Sequence, residues 1–272
     1  MNSNTEILDL VSALKAKGEA FALATVVRTV SVTAAKAGAK AVIGMDGSIS
    51  EGWIGGGCAR AAVLKIAREV MADGQPRLVS IQPEAELNGL GVQPGEEKNG
   101  VRFARNMCPS QGTMDIFIEP VLPKPQLIIC GSSPVAVALA ELAPKLGYQL
   151  VVCAPAPEQA QFAQADRRIE GYALNLDQDG QRFVIVATQG RGDEMALRAA
   201  LAMDADYTAF VGSFRKVAAL KAKLVADGVE PAKFDTLHAP AGLDLGAITP
   251  DEIALSIFAQ ILQFRRQHTT QA

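Results

Sequence analysis

The second half of the chain contains the stretch LIICGSSPVAVALAELAPKLGYQLVVC, residues 127–153, which predicts how that half folds. Residues 127–129 form a continuous apolar run, as in a strand buried on both faces of a sheet. A turn follows at 131–134, after which Val135, Leu139 and Leu142 have the spacing of one helical face. Gly147 is placed to end this helix before a second apolar strand at 149–153. The order strand, helix, strand predicts a βαβ unit.

Strands and helices continue to alternate after this unit. Two further apolar runs, 183–187 and 208–211, precede the helical stretches 194–202 and 214–226. The alternation predicts an α/β fold whose C-terminal domain is a Rossmann-like, doubly wound parallel sheet. The final helix is predicted to begin at Thr249, because Thr249 and Glu252 have the spacing of a capping box.

The first half has the pattern of an α+β domain. Its predicted helices include 7–14 and 63–70, and its predicted strands are 21–30, 41–45, a return strand from 48, 78–81 and 114–118. Residues 83–106 contain several Gly, Pro and charged residues, and we expect them to form a long excursion. Pro120, Pro123 and Pro125 predict a stiff linker, so the predicted domains are 1–122 and 123–272.

The charge and hydropathy of the chain argue against two classes of function. The 272 residues carry a formal net charge of -3, whereas binding to nucleic-acid phosphates needs clustered Lys and Arg. No run of about 18 apolar residues predicts a transmembrane helix. The N-terminal residues lack the basic and apolar regions of a signal peptide, and we expect the protein to be cytoplasmic.

A glycine-rich turn, Gly55-Gly56-Gly57-Cys58, precedes the second helix. Glycines allow a positive φ and a close approach of the backbone to a ligand. Unpaired N–H groups and the positive end of the helix dipole favour a thiolate at Cys58, and Arg60 adds positive charge. Such a site suits an anion, a soft metal or a transferable sulfur. The alternative is a tight turn with a small buried thiol.

Cys108 lies in a second turn, just before the strand at 114–118. If the two turns converge, Cys58 and Cys108 face one cavity, either as catalytic thiols or as soft ligands of a metal such as molybdenum. The alternative is that Cys108 is an ordinary loop residue. Cys130 and Cys153 end apolar strands, and we interpret them as buried core thiols.

Three loops of the second half follow predicted strands, at the edge where open α/β sheets bind ligands. Their candidate nucleotide-binding residues are Gly131, Ser132, Ser133, Pro134, Val135, Thr188, Gln189, Gly190, Arg191, Gly212 and Ser213. The first loop departs from GxGxxG, and Cys153 stands where an acidic residue would contact ribose hydroxyls, so NAD-dependent hydride transfer is not favoured. Arg191 offers a guanidinium fork for phosphate. The alternative is that these loops only cap helices.

His238 is one of two histidines in the sequence, and we interpret it as structural. A Ser-His-Asp hydrolase would place its serine in a GxSxG elbow. The sequence contains no such elbow, which argues against that activity.

Several segments together resemble the XdhC/CoxI family, the maturation factors of xanthine dehydrogenase-type and carbon monoxide dehydrogenase-type molybdenum enzymes. The resemblance covers almost the whole chain. It depends on ATVVRT at 24–29, the Gly-Gly-Cys turn at 56–58, the Cys108 turn with IEP at 118–120, the turn at 131, VGS at 211–213, HAPAGLDLG at 238–246 and TPDEIA at 249–254. The last two segments are the most specific.

The resemblance implies a chaperone-like maturation factor that binds molybdenum cofactor through Cys58 and Cys108 and assists its sulfuration or insertion. The implied cofactor is of the molybdopterin type, including its cytosine dinucleotide form. The implied partners are an apo molybdenum hydroxylase, a sulfurtransferase and a second copy of the chain. The alternative function is an FAD- or NAD(P)-binding oxidoreductase acting in assembly of the molybdenum site, and a third is a protein that only docks on the apo-enzyme.

Three departures from the family pattern are present. The family's Ser-Gly-Gly-Cys is Gly-Gly-Gly-Cys at 55–58, its Gly-x-Gly-His turn is Gly-Ser-Ser-Pro at 131–134, and its Thr-His-Asp-His segment is Thr-Gln-Gly-Arg at 188–191. Loss of these histidines argues against a metal or acid–base role for the second domain. The variant resembles accessory proteins of carbon monoxide dehydrogenase.

Overall fold

The structure is a computed structural model that describes residues 4–109, 111–174 and 180–269. For Asn4, Cys58, His268 and Thr269 it describes the backbone only. The chain divides into two compact units, Met1–Pro123 and Lys124–Ala272. The sequence-based boundary lies one residue earlier, at 122/123, in the proline-containing segment.

The first unit is built on a seven-stranded sheet in the order β3-β2-β1-β7-β4-β6-β5. Its elements are α1 (Asn4–Lys17), β1 (Phe21–Val30), β2 (Lys40–Gly44), β3 (Ile49–Gly52), α2 (Gly57–Asp73), β4 (Arg77–Gln82), α3 (Glu84–Leu90), β5 (Glu97–Lys98), β6 (Val101–Arg105) and β7 (Thr113–Val121). Neighbouring strands are antiparallel except β4 and β6, which are parallel.

Alternation along β1 places its side chains in two different cores. Ala24 and Val26 are buried with the apolar stripe of α2, in which Val63 and Val70 are fully buried. Phe21 packs instead with Ile7 of α1 and with Val42. One helix therefore covers each face of the sheet, and α2 is held at a fixed position against β1 and β7.

The prediction of a long excursion at 83–106 is wrong. This segment forms α3, β5 and β6, and β6 pairs with β4 along the whole length of β6. Leu87, Val92 and Phe103 bury one another in a small separate cluster, which compensates for the many polar residues between them. Pro120, expected in the linker, lies inside β7 opposite Ala22.

The second unit contains a six-stranded sheet in the order β10-β9-β8-β11-β12-β13, with every neighbouring pair parallel. Its elements are β8 (Gln126–Cys130), α4 (Pro134–Leu142), β9 (Gln149–Ala154), β10 (Arg167–Glu170), β11 (Arg182–Val186), α5 (Asp193–Ala202), β12 (Tyr207–Phe210), α6 (Phe214–Ala226), β13 (Leu237–His238) and α7 (Pro250–Thr269). Counted within the unit, this is the order 3-2-1-4-5-6 of the doubly wound fold. The prediction of a Rossmann-like domain is confirmed.

Both faces of this sheet are buried, as the continuous apolar strands predict. Leu127 and Ile129 pack with α4 and α7, whereas Ile128 and Cys130 point to the opposite face, toward α5 and α6. The capping box that starts α7 is present: the N–H of Glu252 donates to Thr249 Oγ1 (3.3 Å), and the N–H of Thr249 donates to Glu252 Oε2 (2.9 Å). Strand order reverses between β8 and β11, where a doubly wound sheet leaves a crevice.

The helices of both units differ from membrane spans in their composition. Within the described ranges, none combines the length and the apolar composition that crossing a bilayer requires.

Candidate functional site

The two cysteine-bearing turns of the first unit line one cavity. Its volume is about 350 Å³, which lies within the range of roughly 300–1,000 Å³ typical of small-molecule sites. The lining residues come from the β1–β2 connection, the glycine-rich turn, β4, the Cys108 turn and β7: Val32, Thr33, Ala34, Gly55, Gly56, Gly57, Ala59, Ile81, Asn106, Met107, Cys108, Pro109 and Met114. The cavity thus lies between the start of α2 and the sheet.

The glycine-rich turn approaches the sheet closely at its first residue. Gly55 has a φ of 111°, and a Cβ built on it would lie 3.3 Å from Met114 Cε. Gly56 is the extended N-cap of α2, so Gly57 and Cys58 are its first two helical residues. Their N–H groups have no acceptor within the helix, and the first turn carries no acidic residue. The side chain of Cys58 lies outside what the structure describes.

The Cys108 turn is held by the side chain of Asn106. Its Oδ1 accepts from the N–H of Cys108 (2.9 Å), and its Nδ2 donates to the carbonyl oxygen of Gly112 (2.6 Å). Cys108 is exposed at the cavity, next to the exposed side chain of Met107. The turn therefore presents a thiol to solvent from a backbone that is fixed at both ends.

The walls of the cavity are mainly apolar. The lining residues that the structure describes include no Asp, Glu, Lys or Arg. Arg60, a predicted cofactor-binding residue, is exposed on α2 and is not among them. Among side chains that the structure describes, no group of three or more His, Cys, Asp and Glu is placed to hold a metal ion. An anionic ligand here would be stabilised by the first N–H groups of α2.

The β8–α4 loop of the second unit packs tightly against the end of β11. Gly131 has a φ of 123°, and a Cβ there would lie 2.4 Å from the carbonyl oxygen of Ala187. Ser133 is the N-cap of α4 and accepts from the N–H of Ala136 (3.2 Å). Ser132 donates its hydroxyl to the carboxylate of Glu158, a contact that the sequence reasoning missed.

Four of the predicted nucleotide-binding residues line a second, smaller hollow. It has a volume of about 250 Å³ and includes Ser133, Pro134, Val135 and Gln189. These side chains therefore come together from the β8–α4 and β11–α5 loops. Ile248, Ile253 and two further residues, Val211 and Pro250, complete its walls.

The β11–α5 loop is organised by Asp193, which is buried. Its carboxylate accepts from the hydroxyl of Thr188 and from the N–H of Gly190 (3.0 Å), and it lies 2.6 Å from Lys216 Nζ. Burial alone would raise the pKa of Asp193, but these hydrogen bonds from Lys216, Thr188 and Gly190 outweigh it and lower the pKa. Arg191 extends from the loop with 89% of its side chain exposed.

The loop after β12 serves as a helix cap. Ser213 is the N-cap of α6 and accepts from the N–H of Lys216 (3.4 Å). Gly212 lies directly against the ring of Phe210. The capping alternative accounts for the hydrogen bond of Ser213, and a nucleotide-binding role of Gly212 and Ser213 stays a prediction.

His238 is half-buried and packs against aromatic residues of the core. Its ring stacks on Tyr207 at a centroid distance of 4.4 Å and meets Phe264 edge-on. Burial lowers the pKa of His238. These contacts agree with the structural interpretation of this histidine.

The lowered pKa of His238 predicts a pH-dependent stability. As pH falls through the usual histidine pKa of about 6.5, the unfolded chain takes up a proton more readily than the folded one. The free energy of unfolding is therefore expected to decrease between pH 7 and pH 5, and less steeply in a His238→Phe variant. Urea denaturation over this pH range measures both slopes, and equal slopes would contradict the prediction.

Comparison with known proteins gives two matching family models. Residues 14–82 match the XdhC and CoxI family, and residues 127–261 match the XdhC Rossmann domain. The two matches lie in different units and together include the Gly55–Cys58 turn and every candidate loop of the second unit. Cys108 lies between the matched ranges.

Two curated proteins resemble the chain. Uncharacterized protein YqeB of Escherichia coli (strain K12) is 29% identical over 235 residues, which is 84% of this chain and 40% of YqeB. A probable xanthine dehydrogenase component of Bacillus subtilis (strain 168) is 30% identical over 163 residues, 57% of this chain and 47% of that protein. The chain spans less than half the length of both relatives.

A crystal structure of a xanthine dehydrogenase from Bacillus halodurans also aligns with the chain. It is 21% identical, and the alignment covers 96% of each chain with a TM-score of 0.45.

Proposed function

The chain belongs to the XdhC and CoxI family, and we propose on that basis that it is a maturation factor for a molybdenum hydroxylase. In this proposal the cavity of the first unit holds molybdenum cofactor as cargo in the cytoplasm and protects it until an apo-enzyme takes it up. The apo-enzyme is of the xanthine dehydrogenase or carbon monoxide dehydrogenase type. A sulfurtransferase and a second copy of the chain are the further partners.

The observation that carries the proposal is the convergence of the two turns on one cavity. They are separated by about 50 residues of sequence, yet Gly57 and Cys108 line the same hollow. A turn that only connects secondary structure has no need to present a thiol there, whereas a carrier of a sulfur-rich metal cofactor does. Thiolates are soft ligands, which suits this cargo.

Each part of the cavity has a role in this proposal. The apolar walls, including Ile81 and Met114, exclude water and accept the flat pterin. The first N–H groups of α2 face its phosphate, because a helix N-terminus favours anions. Cys58 and Cys108 contribute thiolates toward the metal. Further ligands would come from the cargo itself, since the described side chains form no complete metal cluster.

Cofactor retention by the purified chain tests the proposal. We expect the wild-type protein to retain molybdopterin-type cofactor through gel filtration, and Cys58→Ala to retain at least about tenfold less. Pterin and molybdenum are measured in the protein fraction by fluorescence and by elemental analysis. Cys130→Ala is the matched control, because it also removes a thiol but one that is fully buried in the core of the second unit and does not line the cavity. Retention that is equal in wild type and Cys58→Ala would contradict a role for this thiol.

A second candidate function is an FAD- or NAD(P)-binding oxidoreductase that acts in assembly of the molybdenum site. It is favoured by the 3-2-1-4-5-6 parallel sheet with a glycine turn after its first strand. A flavin absorption spectrum of the purified chain, or oxidation of NAD(P)H that requires it, would support this function. A colourless protein without such turnover would argue against it.

A further inference from the structure

Glu158 is brought to the β8–α4 loop by a short 3₁₀ helix after β9. The strand ends at Ala154, and the chain then turns tightly through Ala156–Gln161. Gln159 fixes this turn, since its Nε2 donates to the carbonyl oxygens of Ala154 (2.9 Å) and Ile169 (2.8 Å). The carboxylate of Glu158 consequently meets the hydroxyl of Ser132. An acidic group thus stands beside the glycine turn although none ends β9.

In a doubly wound sheet, a carboxylate at this position can accept hydrogen bonds from the ribose of a bound nucleotide. In doubly wound sheets that bind a dinucleotide, the acidic residue that hydrogen-bonds to the ribose hydroxyls lies at the end of the second strand. It faces the loop that follows the first strand. Glu158 satisfies this arrangement from four residues further along the chain. Its side chain is 29% exposed, so one side remains open to solvent. A single carboxylate can accept hydrogen bonds from both hydroxyls of a ribose diol.

A hollow lies beside the same turn and is lined in part by it. It has a volume of about 520 Å³ and lies between the ends of β9, β10 and the start of α5. Its lining residues are Pro155, Ala156, Pro157, Glu170, Gly171, Tyr172, Ala173 and Met195. Two prolines, an aromatic ring and a methionine offer flat, polarisable contacts for a planar ring system.

Tyr172 connects this hollow to the β11–α5 loop. Its hydroxyl donates to the carbonyl oxygen of Arg191 (3.3 Å), and its ring packs on Gly192. Burial raises the pKa of Tyr172, and the nearby carboxylates of Glu158 and Asp193 raise it further. The hollow, the carboxylate and the loop that bears Arg191 are therefore neighbours within one unit.

Arg191 supplies the positive charge that a nucleotide needs. Its guanidinium lies 3.8 Å from Glu158 Oε1 and is exposed. Because this pair is open to solvent it is weak, and the guanidinium can exchange the carboxylate for a phosphate at little cost. Ser133 and Pro134, at the start of α4, line one hollow together with Gln189 of the same loop, and a helix N-terminus favours an anion.

We propose that the second unit binds a ribonucleotide with free 2′- and 3′-hydroxyls, with Glu158 accepting hydrogen bonds from the ribose. The base occupies the hollow lined by Pro155 and Tyr172, and the phosphates face Arg191 and the start of α4. The sequence pattern excludes an acidic residue at the end of β9, but the fold supplies the same group from Glu158. This site is formed only by residues of the second unit and does not depend on the proposed carrier function.

Calorimetric titration of the full chain with ADP, CDP and their 2′-deoxy forms tests this site. At least one of the two ribonucleotides is expected to bind, and about tenfold more tightly than its 2′-deoxy form, because a hydrogen bond to a charged group is lost. In Glu158→Gln the affinity for the ribonucleotide is expected to decrease by about the same factor, whereas the affinity for the 2′-deoxy form is nearly unaffected. Glu141→Gln, at the far end of α4, removes the same charge as a control and leaves the preference intact.

Three results would overturn the proposal. They are no binding of either ribonucleotide at millimolar concentration, equal affinities for the ribo and deoxy forms in the wild type, and an unchanged preference in Glu158→Gln.

Thermal unfolding of each variant shows whether it is folded. If Glu158→Gln proves unstable, Glu158→Asp replaces it: its carboxylate is carried on a side chain one methylene group shorter and withdraws from the ribose, so the preference for the ribo form must decrease. Retention of molybdenum cofactor is measured on the same proteins and is expected to be unchanged, which separates failure of this site from failure of the carrier function.

Discussion

Exchange of Cys108 for serine is expected to lower the yield of active molybdenum hydroxylase by at least about tenfold, the range seen when groups around a metal are altered. Serine retains the size and the hydrogen-bonding backbone of the turn, but its hydroxyl is a hard ligand and stays protonated. The turn itself should be unaffected, since Asn106 holds it through the N–H of residue 108 and the carbonyl oxygen of Gly112. Client activity per molecule of purified enzyme, in cells that express each variant, measures the effect.

The control for this experiment is Cys153→Ala. Cys153 is fully buried in the second unit, so the substitution removes a thiol without touching the cavity of the first. A small packing cost of about 1 kcal/mol is expected from the lost sulfur, with maturation retained. If Cys108→Ser matures the client as well as the wild type, the thiol has no part in cofactor handling.

Gly131→Ala is expected to destabilise the second unit by about 3 kcal/mol or more. Two causes add together: the residue has a φ of 123°, and its Cβ would lie 2.4 Å from the carbonyl oxygen of Ala187. The atoms that this Cβ would meet are backbone, so no side chain can move aside. Calorimetry should detect the change as a decrease of roughly 6–12 °C in the Tm of this unit.

Gly190→Ala separates the two causes. Gly190 also has a positive φ, 99°, but nothing lies within 4 Å of its Cβ position. Only the cost of placing alanine at a positive φ should remain, and we expect a loss of about 1 kcal/mol in the free energy of unfolding. Equal losses of stability in the two variants would show that the contact with Ala187 is not what requires glycine at position 131.

Most helices and strands of this fold can be predicted from the sequence, because the patterns that indicate them involve only neighbouring residues. The patterns at 21–30 and 214–226 predict the bounds that β1 and α6 have in the structure. The capping box of Thr249 and Glu252 depends only on neighbouring residues and is also predicted. The elements within 83–106, which are α3, β5 and β6, are not predicted. Leu87 and Phe103 are buried against each other across a stretch that is polar on average, so no local apolar pattern indicates them.

By itself the sequence determined the βαβ pattern, the parallel sheet and the two cysteine-bearing turns, since periodicity and glycine placement act over a few residues. Only the tertiary structure decided that Gly57 and Cys108 line one cavity and that Glu158 meets Ser132. Both depend on how strands far apart in the chain pair and on how a turn after β9 folds back. The physical reason is that a strand order such as 3-2-1-4-5-6 is set by packing on both faces of the sheet, which no local pattern encodes.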